Sequence, residues 1–357
     1  MRILFISHAY PPTVGGVENQ NFELSIWLGK IAEVKILANG RGKKFLPIWM
    51  PWTLLKCLFV APKYDAILLG NALLAHMGWI LKLIYRKPVI SVAHGLDFTF
   101  DNWIYQKFWM GFFVKNLDKI ICVGNETVRV GKEKGIDENK LVFIPNGIDI
   151  NKFKSDTTRD DLAKFLEENL NNKKVLLTSG RLARRKGVAW FVRNVMPKLP
   201  ENILYVIAGD GVDRENIKNA IAEKNLSHRV KMIGYMGDQV RDMLFHTCDI
   251  FMQPNIKIEG DMEGFGLSVI EAAFCGIPVI AANLEGLRDA IKDEQDGFLI
   301  ETEDTEGYAK KINELLSDEN YRKEFGQKAR QYVIENYSWE GISKKYLAEI
   351  SKTISKK

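Results

Sequence analysis

Two glutamates, Glu263 and Glu271, flank a glycine-rich turn and the start of an apolar stretch. Gly264 and Gly266 predict a loop, and the apolar residues from about Leu267 predict a helix. A helix N-terminus offers free N–H groups to an anion such as a diphosphate. Glu271, about one turn into the helix, could accept hydrogen bonds from ribose hydroxyls, and Glu263 could reach a sugar. A carboxylate on so apolar a helix needs a polar partner, which favours ligand binding over a surface carboxylate pair.

A run of cations follows an apolar segment in Gly180-Arg181-Leu182-Ala183-Arg184-Arg185-Lys186-Gly187. An arginine can give a forked pair of hydrogen bonds to phosphate, and a lysine a mobile point charge. We therefore interpret Gly180, Arg181 and Lys186 as parts of a phosphate-binding loop, with a solvated charge run as the alternative. The spacing is not that of a Walker A loop.

Three further loops follow apolar segments. The Gly15-Gly16 pair precedes a helical pattern, and Gly209-Asp210-Gly211 forms a second glycine loop, although either could be an ordinary tight turn. His94 follows Val89–Ala93, where a role at the site competes with a structural one. The Gly15-Gly16 loop is not G-x-G-x-x-G, so a dinucleotide fingerprint is not supported.

Short apolar runs alternate with longer amphipathic stretches, which predicts parallel sheets covered by helices. The amphipathic stretches include Glu18–Ile31 and Ala72–Tyr85. A charged region from Asn151 to Lys174 interrupts the pattern and predicts an interdomain segment. The predicted strands are Ile3–Ser7, Val34–Leu37, Ala66–Leu69, Val89–Ala93, Ile120–Val123 and Leu141–Ile144, then Val175–Ser179, Leu204–Ala208, Val230–Ile233, Ile250–Gln253 and Val279–Ala281. Because ligands bind at the carboxyl ends of parallel strands, the loops named above should form the site.

Composition and charge narrow the class of protein. The chain has 357 residues, 46% of them hydrophobic, which suits two ordinary domains. Residues 1–150 hold 18 Lys and Arg against 12 Asp and Glu, while the remainder holds 32 against 33. The excess positive charge of the first part predicts an anionic partner. Four scattered cysteines predict buried thiols of a reducing compartment, and the start of the chain predicts a buried strand, not a signal peptide.

Taken together, these motifs resemble those of the family-four retaining glycosyltransferases of the GT-B fold. The resemblance spans most of the chain, and the motifs occur in family order. They are Gly15-Gly16-Val17-Glu18, His94-Gly95, Pro145-Asn146-Gly147-Ile148-Asp149, Gly180-Arg181-Leu182 with Lys186-Gly187, Gly209-Asp210-Gly211, Glu263-Gly264-Phe265-Gly266-Leu267-Ser268-Val269-Ile270-Glu271-Ala272 and Gly276-Ile277-Pro278-Val279-Ile280. Val212 stands where the family usually has proline, and Lys43–Lys63 resembles an insert.

The resemblance implies an α/β architecture of two Rossmann-like domains whose parallel sheets face each other across a cleft. We expect an acceptor domain over residues 1–160, a donor domain over 161–338, and a C-terminal helix, residues 339–357, that returns to the first domain.

The resemblance also implies residue roles. His94, Glu263, Arg181 and Lys186 would be catalytic, with His94 near the reacting carbon and the two cations on the diphosphate. The expected donor-binding residues are Gly15, Gly16, Gly180, Gly209, Asp210, Gly211, Gly264, Phe265, Gly266, Leu267 and Glu271. No bound metal and no other cofactor are expected, since the nucleotide sugar is itself a substrate.

Three segments that mix aromatic residues with Lys and Arg suggest how the acceptor is reached: Lys43–Lys63, Leu73–Lys87 and Phe98–Lys115. Such a composition is typical of interfacial helices, with ordinary core helices as the alternative. We therefore expect a cytoplasmic enzyme, peripheral on the inner membrane face, with a lipid-linked or cell-envelope glycan acceptor and no nucleic-acid partner. Rival hypotheses are a nucleotide-sugar epimerase or phosphorylase on a similar scaffold, or a non-catalytic sugar-binding module. The base, sugar, linkage and oligomeric state are left open.

Overall fold

The computed structural model describes residues 1–13 and 15–356, except for the side chain of Lys43. The last residue of the predicted C-terminal helix, Lys357, lies outside the described residues. The chain divides into two compact units. Unit 1 comprises Met1–Asp149, Gly260–Phe265 and Tyr337–Lys357, and unit 2 comprises Ile150–Glu259 and Gly266–Asn336.

These bounds differ from the expected ones in three places, the smallest being that Tyr337 and Ser338, expected in the donor domain, belong to unit 1. The first segment of unit 1 ends at Asp149, about ten residues before the expected domain end at residue 160. The charged segment from Asn151, expected to link the domains, is therefore part of unit 2. The segment Gly260–Phe265, expected in the donor domain, belongs to unit 1 because it packs there through Met262 and Gly264. Glu263 therefore lies in unit 1 and Glu271 in unit 2.

Unit 1 contains, among its described residues, a parallel sheet of six strands in the order β2-β1-β3-β4-β5-β6. The central strands consist almost entirely of buried aliphatic residues, as expected for a sheet covered on both faces. All six predicted strands are confirmed within two residues at each end. They are β1 Arg2–Ser7, β2 Glu33–Ala38, β3 Ala66–Leu69, β4 Val89–Ala93, β5 Lys119–Cys122 and β6 Leu141–Phe143.

Helices cover this sheet and bring in the C-terminus. The described helices are α1 Gly16–Gly29, α2 Leu46–Val60, α3 Ala75–Tyr85, α4 Gly95–Thr99, a π-helix at Tyr105–Val114, α5 Asn125–Glu133 and, from the chain end, α14 Trp339–Ser355; 3₁₀ turns span Lys43–Phe45, Ala61–Lys63, Ala72–Leu74 and Glu138–Lys140. Helix α14 packs on α1, and its Glu349 pairs with Lys119 of β5 at 3.1 Å. The buried ring of Trp339 lies against Gly147, where an added Cβ would come within 2.5 Å of it.

Unit 2 repeats the architecture with the strand order β12-β11-β10-β7-β8-β9 among its described residues. The strands are β7 Lys174–Ser179, β8 Ile203–Ala208, β9 Val230–Gly234, β10 Ile250–Gln253, β11 Val279–Ala282 and β12 Phe298–Ile300. The first five were predicted. Strand β12 was missed because three residues are too few to give an alternating pattern.

The helices of unit 2 include one in the charged interdomain segment. They are α6 Arg159–Leu166, α7 Val188–Asn194, α8 Arg214–Glu223, α9 Asp238–Thr247, α10 Leu267–Phe274, α11 Leu287–Ala290, α12 Thr305–Ser317 and α13 Glu319–Tyr337, with 3₁₀ turns at Arg184–Lys186 and Met196–Lys198. The predicted start of α10 at Leu267 is confirmed. The last residue of α13, Tyr337, belongs to unit 1.

Candidate functional site

The loops that follow β7 and β8 are joined at the carboxyl edge of the unit 2 sheet. Gly180 N–H donates to Ala208 O at 2.9 Å, and Leu182 N–H donates to Asp210 O at the same distance. Gly209 has φ 137°, and a Cβ at this position would overlap the carbonyl oxygen of Gly180. The close approach requires glycine, so two of the predicted loops form one continuous backbone surface.

The cationic loop after β7 is held from its other side by the loop after β10. Gly187 adopts φ 66°, and an added Cβ would overlap the carbonyl oxygen of Pro254. Ile256 N–H donates to Arg185 O at 2.9 Å. Arg185 and Lys186 are consequently buried, with 8% and 9% of their surface exposed, whereas Arg181 is exposed. A solvated charge run would not bury two cations, since burying a charge requires anionic or polar partners.

Asp210 remains charged at the edge of this surface. Its carboxylate accepts from Gly211 N–H at 2.8 Å and pairs with Arg214 at 3.3 Å. The backbone hydrogen bond, then the Arg214 contact, lower its pKa. A charged carboxylate here can accept hydrogen bonds from hydroxyl groups but repels phosphate.

Glu271 lies in the second turn of α10 and is half-buried. Desolvation raises the pKa of its carboxyl, and the charge of Arg241 on α9 opposes that rise. Gly266 precedes the helix at φ 94°, where a Cβ would come within 2.6 Å of Leu287 Cδ2. Ser268 Oγ donates to Gln253 Oε1 at 3.3 Å and ties the start of α10 to the end of β10. Arg241 lies seven positions after the end of β9 and in no motif, so it carries no sequence signal that could have identified it.

In unit 1, His94 lies with groups that follow the adjacent strands β1 and β3. Its Nε2 is 3.4 Å from Gly70 O, and Asn71 Nδ2 is 3.3 Å from His8 Nε2. Burial, with a smaller contribution from His8, lowers the pKa of His94 to about 4. The imidazole is therefore neutral near pH 7, so it can exchange hydrogen bonds with a sugar but cannot bring a positive charge to it.

Asp97 orders the turn that carries His94. Its Oδ2 accepts from His94 N–H at 2.8 Å and from Ala72 N–H at 3.5 Å. Burial raises the pKa of Asp97 to about 7, although both hydrogen bonds lower it. This residue was missed, yet its spacing from His94 at the start of α4 is that of a capping box and could have identified it.

The segment Gly260–Phe265 places Glu263 next to the His94 turn. The backbones of Gly264 and Gly95 are in contact, since a Cβ added at Gly95 would come within 3.3 Å of Gly264 Cα. Glu263 is buried, with 8% of its surface exposed, and the Phe265 ring packs on Tyr337 at 5.9 Å between centroids. Residues far apart in sequence, His94 and Glu263, are thus held by two directly touching backbones.

The Gly15-Gly16 pair lies exposed at the start of α1. The Glu18 carboxylate folds back over Gly15. A phosphate approaching the Gly16 N–H would meet this negative charge, so binding there requires the Glu18 side chain to turn away. Among the described residues, no group of three or more His, Cys, Asp or Glu side chains could hold a metal ion.

Two units, each with a parallel six-stranded sheet among its described residues and with glycine loops at the carboxyl edge, define the chain as a GT-B protein. Residues 14–152 match the family model described as Glycosyltransferase Family 4, and residues 160–332 match Glycosyl transferases group 1. The chain therefore belongs to the family-four glycosyltransferases of the GT-B fold, and it is a glycosyltransferase.

Named relatives agree with this assignment. The chain is 30% identical to an N,N'-diacetylbacillosaminyl-diphospho-undecaprenol α-1,3-N-acetylgalactosaminyltransferase of Campylobacter jejuni, over 74% of this chain and 70% of that protein. It is 28% identical to a UDP-Gal:α-D-GlcNAc-diphosphoundecaprenol α-1,3-galactosyltransferase of Escherichia coli, over 72% and 67%. The crystal structure of Anabaena HepE in complex with UDP-glucose is similar in fold, with a TM-score of 0.78 and 21% identity over the full length of both chains.

Proposed function

We propose that this glycosyltransferase moves a sugar from a nucleoside-diphosphate sugar to a lipid-linked or cell-envelope glycan and retains the anomeric configuration. The observation that carries the donor half is the loop of Arg181 and Lys186, which two glycine contacts fix at the carboxyl edge of the unit 2 sheet. Fixed cations at that edge suit a diphosphate. A relative whose name includes a UDP-sugar donor supports the same donor class.

The proposed reaction depends on stabilising the leaving group. As the bond between the anomeric carbon and the diphosphate oxygen breaks, negative charge grows on the diphosphate and positive charge on the sugar. Arg181, Lys186 and the start of α10 would stabilise the departing anion, a form of preorganised electrostatic catalysis. The acceptor oxygen bonds to the same face of the sugar, and its proton passes to the departing phosphate.

In this proposal, Glu271 holds the ribose and Glu263 holds the transferred sugar. The Arg241 charge beside Glu271 favours its ionised form, which a hydroxyl donor needs as acceptor. His94, neutral near pH 7, touches the sugar near the reacting carbon. Gly15, Gly16, Gly180, Gly209, Gly211, Gly264, Phe265, Gly266 and Leu267 supply backbone contacts to the donor, and Asp210 accepts from hydroxyl groups. No metal takes part.

A lipid-linked acceptor is supported by an apolar, basic surface of unit 1. Exposed apolar side chains of α2, α3 and the π-helix region form what we call the three-helix surface: Ile48, Trp52, Leu55, Phe59, Leu83, Ile84, Phe100, Trp103, Ile104, Phe108 and Phe112. The elements are neighbours, because Tyr85 OH donates to Leu58 O and the Trp79 and Phe112 rings lie 5.2 Å apart. Large exposed apolar side chains concentrated on neighbouring elements are typical of an interaction site.

The charge of the same surface favours an anionic membrane. Residues 43–63, 73–87 and 98–115 contain nine Lys and Arg and a single acid, Asp101. Such segments attract anionic lipid headgroups at about 1 kcal/mol per cation near the surface. None of the helices in the described part of the chain is long and apolar enough to cross a membrane. We therefore propose peripheral attachment through the three-helix surface.

The donor half is tested by melting the protein with a panel of UDP-, GDP- and ADP-sugars, because a ligand bound to the native state raises Tm. One donor class should raise Tm clearly, and that donor should then give a product with an acceptor-linked sugar of unchanged anomeric configuration by NMR. An inverted anomer would exclude retention. Consumption of donor in the absence of any acceptor, with an isomeric nucleotide sugar as product, would indicate an epimerase.

A further inference from the structure

Unit 1 contains a cavity of about 570 Å³ between the end of β2 and one side of α2. We call it the β2–α2 groove. Its walls are formed by residues 36–41 and by residues of α2 and of the turn before it. A volume of this order is that of sites for small organic ligands. None of the residues expected at the donor site lines it.

The groove opens beside the loop that leads to Gly15-Gly16. Gly40 lines it, and a Cβ added there would come within 2.9 Å of Pro11 O and 3.2 Å of Pro12 Cδ. Asn39 shapes the same corner, since its side chain accepts from Arg41 N–H at 3.0 Å and donates to Gly42 O at 3.0 Å. The groove therefore lies at the carboxyl edge of the unit 1 sheet, where a substrate would be expected in this fold.

The cations and aromatic rings that line the groove suit an anion with an apolar chain. Arg41 and Lys56 are the charged residues among those that line it, and no acid lines it. The Arg41 guanidinium lies 4.9 Å from the centre of the Phe45 ring, and Lys56 Nζ lies 5.4 Å from that of Trp52. Two exposed cations above aromatic rings can bind phosphate oxygens, while the rings offer apolar contact area.

The apolar wall of the groove is continuous with the three-helix surface. Ile48 and Trp52 line the groove and are also exposed on that surface, at 64% and 59%. Buried Trp49 forms the floor. A lipid chain could thus contact the exposed apolar side chains of α2 and the groove at the same time.

We infer that the β2–α2 groove binds the diphosphate and the first isoprenyl units of a polyprenyl-diphosphate-linked acceptor. Arg41 and Lys56 contact the diphosphate, and Trp49 and Trp52 contact the hydrocarbon. This inference rests on the proposed lipid-linked acceptor, a class that the names of two relatives contain. It adds a binding site that determines acceptor class and that is separate from the diphosphate loop of unit 2.

The test titrates farnesyl diphosphate into the full chain below its micelle concentration and follows tryptophan fluorescence. The nucleoside diphosphate of the donor that raises Tm most, or UDP if no donor raises Tm, is kept saturating to occupy the unit 2 loop. We expect saturable quenching, with farnesol and inorganic pyrophosphate each binding at least about tenfold more weakly, which is about 1.4 kcal/mol. Equal binding of pyrophosphate alone would overturn the lipid assignment, and absence of saturable quenching would overturn the site.

Two matched double variants complete the experiment. Arg41→Gln with Lys56→Gln should weaken farnesyl diphosphate at least about tenfold. Lys63→Gln with Lys107→Gln removes the same charge outside the groove and should change the affinity less than about twofold. If the variant with Arg41→Gln and Lys56→Gln bound farnesyl diphosphate as tightly as the wild type, the inference would be overturned.

The outcome is separable from that of the donor proposal. The donor-induced rise in Tm should be unchanged in both double variants, because every residue that lines the groove belongs to unit 1 and none is an expected donor-binding residue. If farnesyl diphosphate binds but no nucleotide sugar raises Tm, the proposed function fails and the groove assignment stands. If nucleotide sugars raise Tm but farnesyl diphosphate does not bind, the groove assignment fails and the donor half of the proposed function stands.

Discussion

The backbones of Gly95 and Gly264 touch each other. A Cβ built on Gly95 would come within 3.3 Å of Gly264 Cα and 2.8 Å of Met262 Cε, and one built on Gly264 would come within 3.3 Å of Gly95 N. His94 and Glu263 immediately precede these glycines. The two proposed sugar contacts are therefore positioned by one glycine-to-glycine contact within unit 1.

Gly264→Ala should move the Glu263 segment away from the His94 turn. Overpacking of this kind costs about 1–3 kcal/mol where the neighbours cannot yield. We expect turnover to fall by more than about tenfold with a loss of unfolding free energy in that range, measured by urea denaturation and by transfer assay. Gly29→Ala is the control, because a Cβ there meets nothing within 4 Å and α1 favours alanine. Unchanged turnover in Gly264→Ala would show that this contact does not position the site.

Glu263→Gln and Glu271→Gln should affect different kinetic constants. If Glu263 contacts the sugar in the transition state, its amide variant lowers kcat by about 10²-fold, the size expected for one lost electrostatic contact. If Glu271 holds the ribose, its variant raises the donor KM about tenfold with a smaller effect on kcat. Steady-state kinetics with the exposed Glu314→Gln as control gives the answer. A pure KM effect at Glu263 would contradict its catalytic assignment.

Arg181→Gln should weaken binding of the free nucleoside diphosphate by about tenfold, because one charge-assisted contact is lost. Arg184→Gln removes the same charge from the same loop and also lies exposed, so it is a close control. Calorimetry at two salt concentrations should show that the Arg181 variant has the shallower salt dependence. Equal losses in the two variants would mean that only the overall charge of the loop matters.

The pH dependence of stability should expose Asp97 and His94 as opposing groups. Between about pH 4 and 6.5 the unfolded chain protonates His94 while the folded chain does not, so this group makes stability rise with pH. In the folded chain Asp97 keeps its proton up to about pH 7, whereas in the unfolded chain it loses the proton near pH 3.8. This group therefore makes stability fall with rising pH. The two slopes oppose each other in the wild type.

Single variants should reveal each slope. In Asp97→Asn, stability should rise from about pH 4 to 6.5 more steeply than in the wild type, and in His94→Gln it should fall from about pH 4 to 7. Urea midpoints across this range provide the measurement. Parallel profiles for all three proteins would refute the assigned pKa shifts.

The three-helix surface predicts binding to anionic vesicles. Leu55→Ser with Phe59→Ser removes exposed apolar side chains of α2 that lie outside the β2–α2 groove. Since insertion of such side chains contributes up to about 1.5–3 kcal/mol each, partial insertion should make vesicle binding at least about tenfold weaker. Ile26→Ser with Ile31→Ser, exposed elsewhere in unit 1, is the control for sedimentation with phosphatidylglycerol vesicles. If the wild type ignores these vesicles at low salt, membrane attachment is excluded.

Much of the fold could be predicted because long apolar runs leave few alternatives. Strands β3, β4 and β10 have the predicted bounds, since each is a fully buried segment between breaks in the pattern. The short β12 and the π-helix at Tyr105–Val114 were not predicted. Three residues give no periodicity, and a π-helix differs from an α-helix in its hydrogen bonds, not in its apolar pattern.

The sequence by itself determined the class of fold, the glycine loops and the candidate chemistry, because strand ends, glycines and charged residues are local properties of the chain. The tertiary structure decided which of these meet. It buried Lys186 while leaving Arg181 exposed, placed Arg241 beside Glu271, and moved the Glu263 segment into unit 1 against Gly95. Such outcomes depend on contacts between distant residues, and no spacing along the chain specifies the burial and electrostatic field that they create.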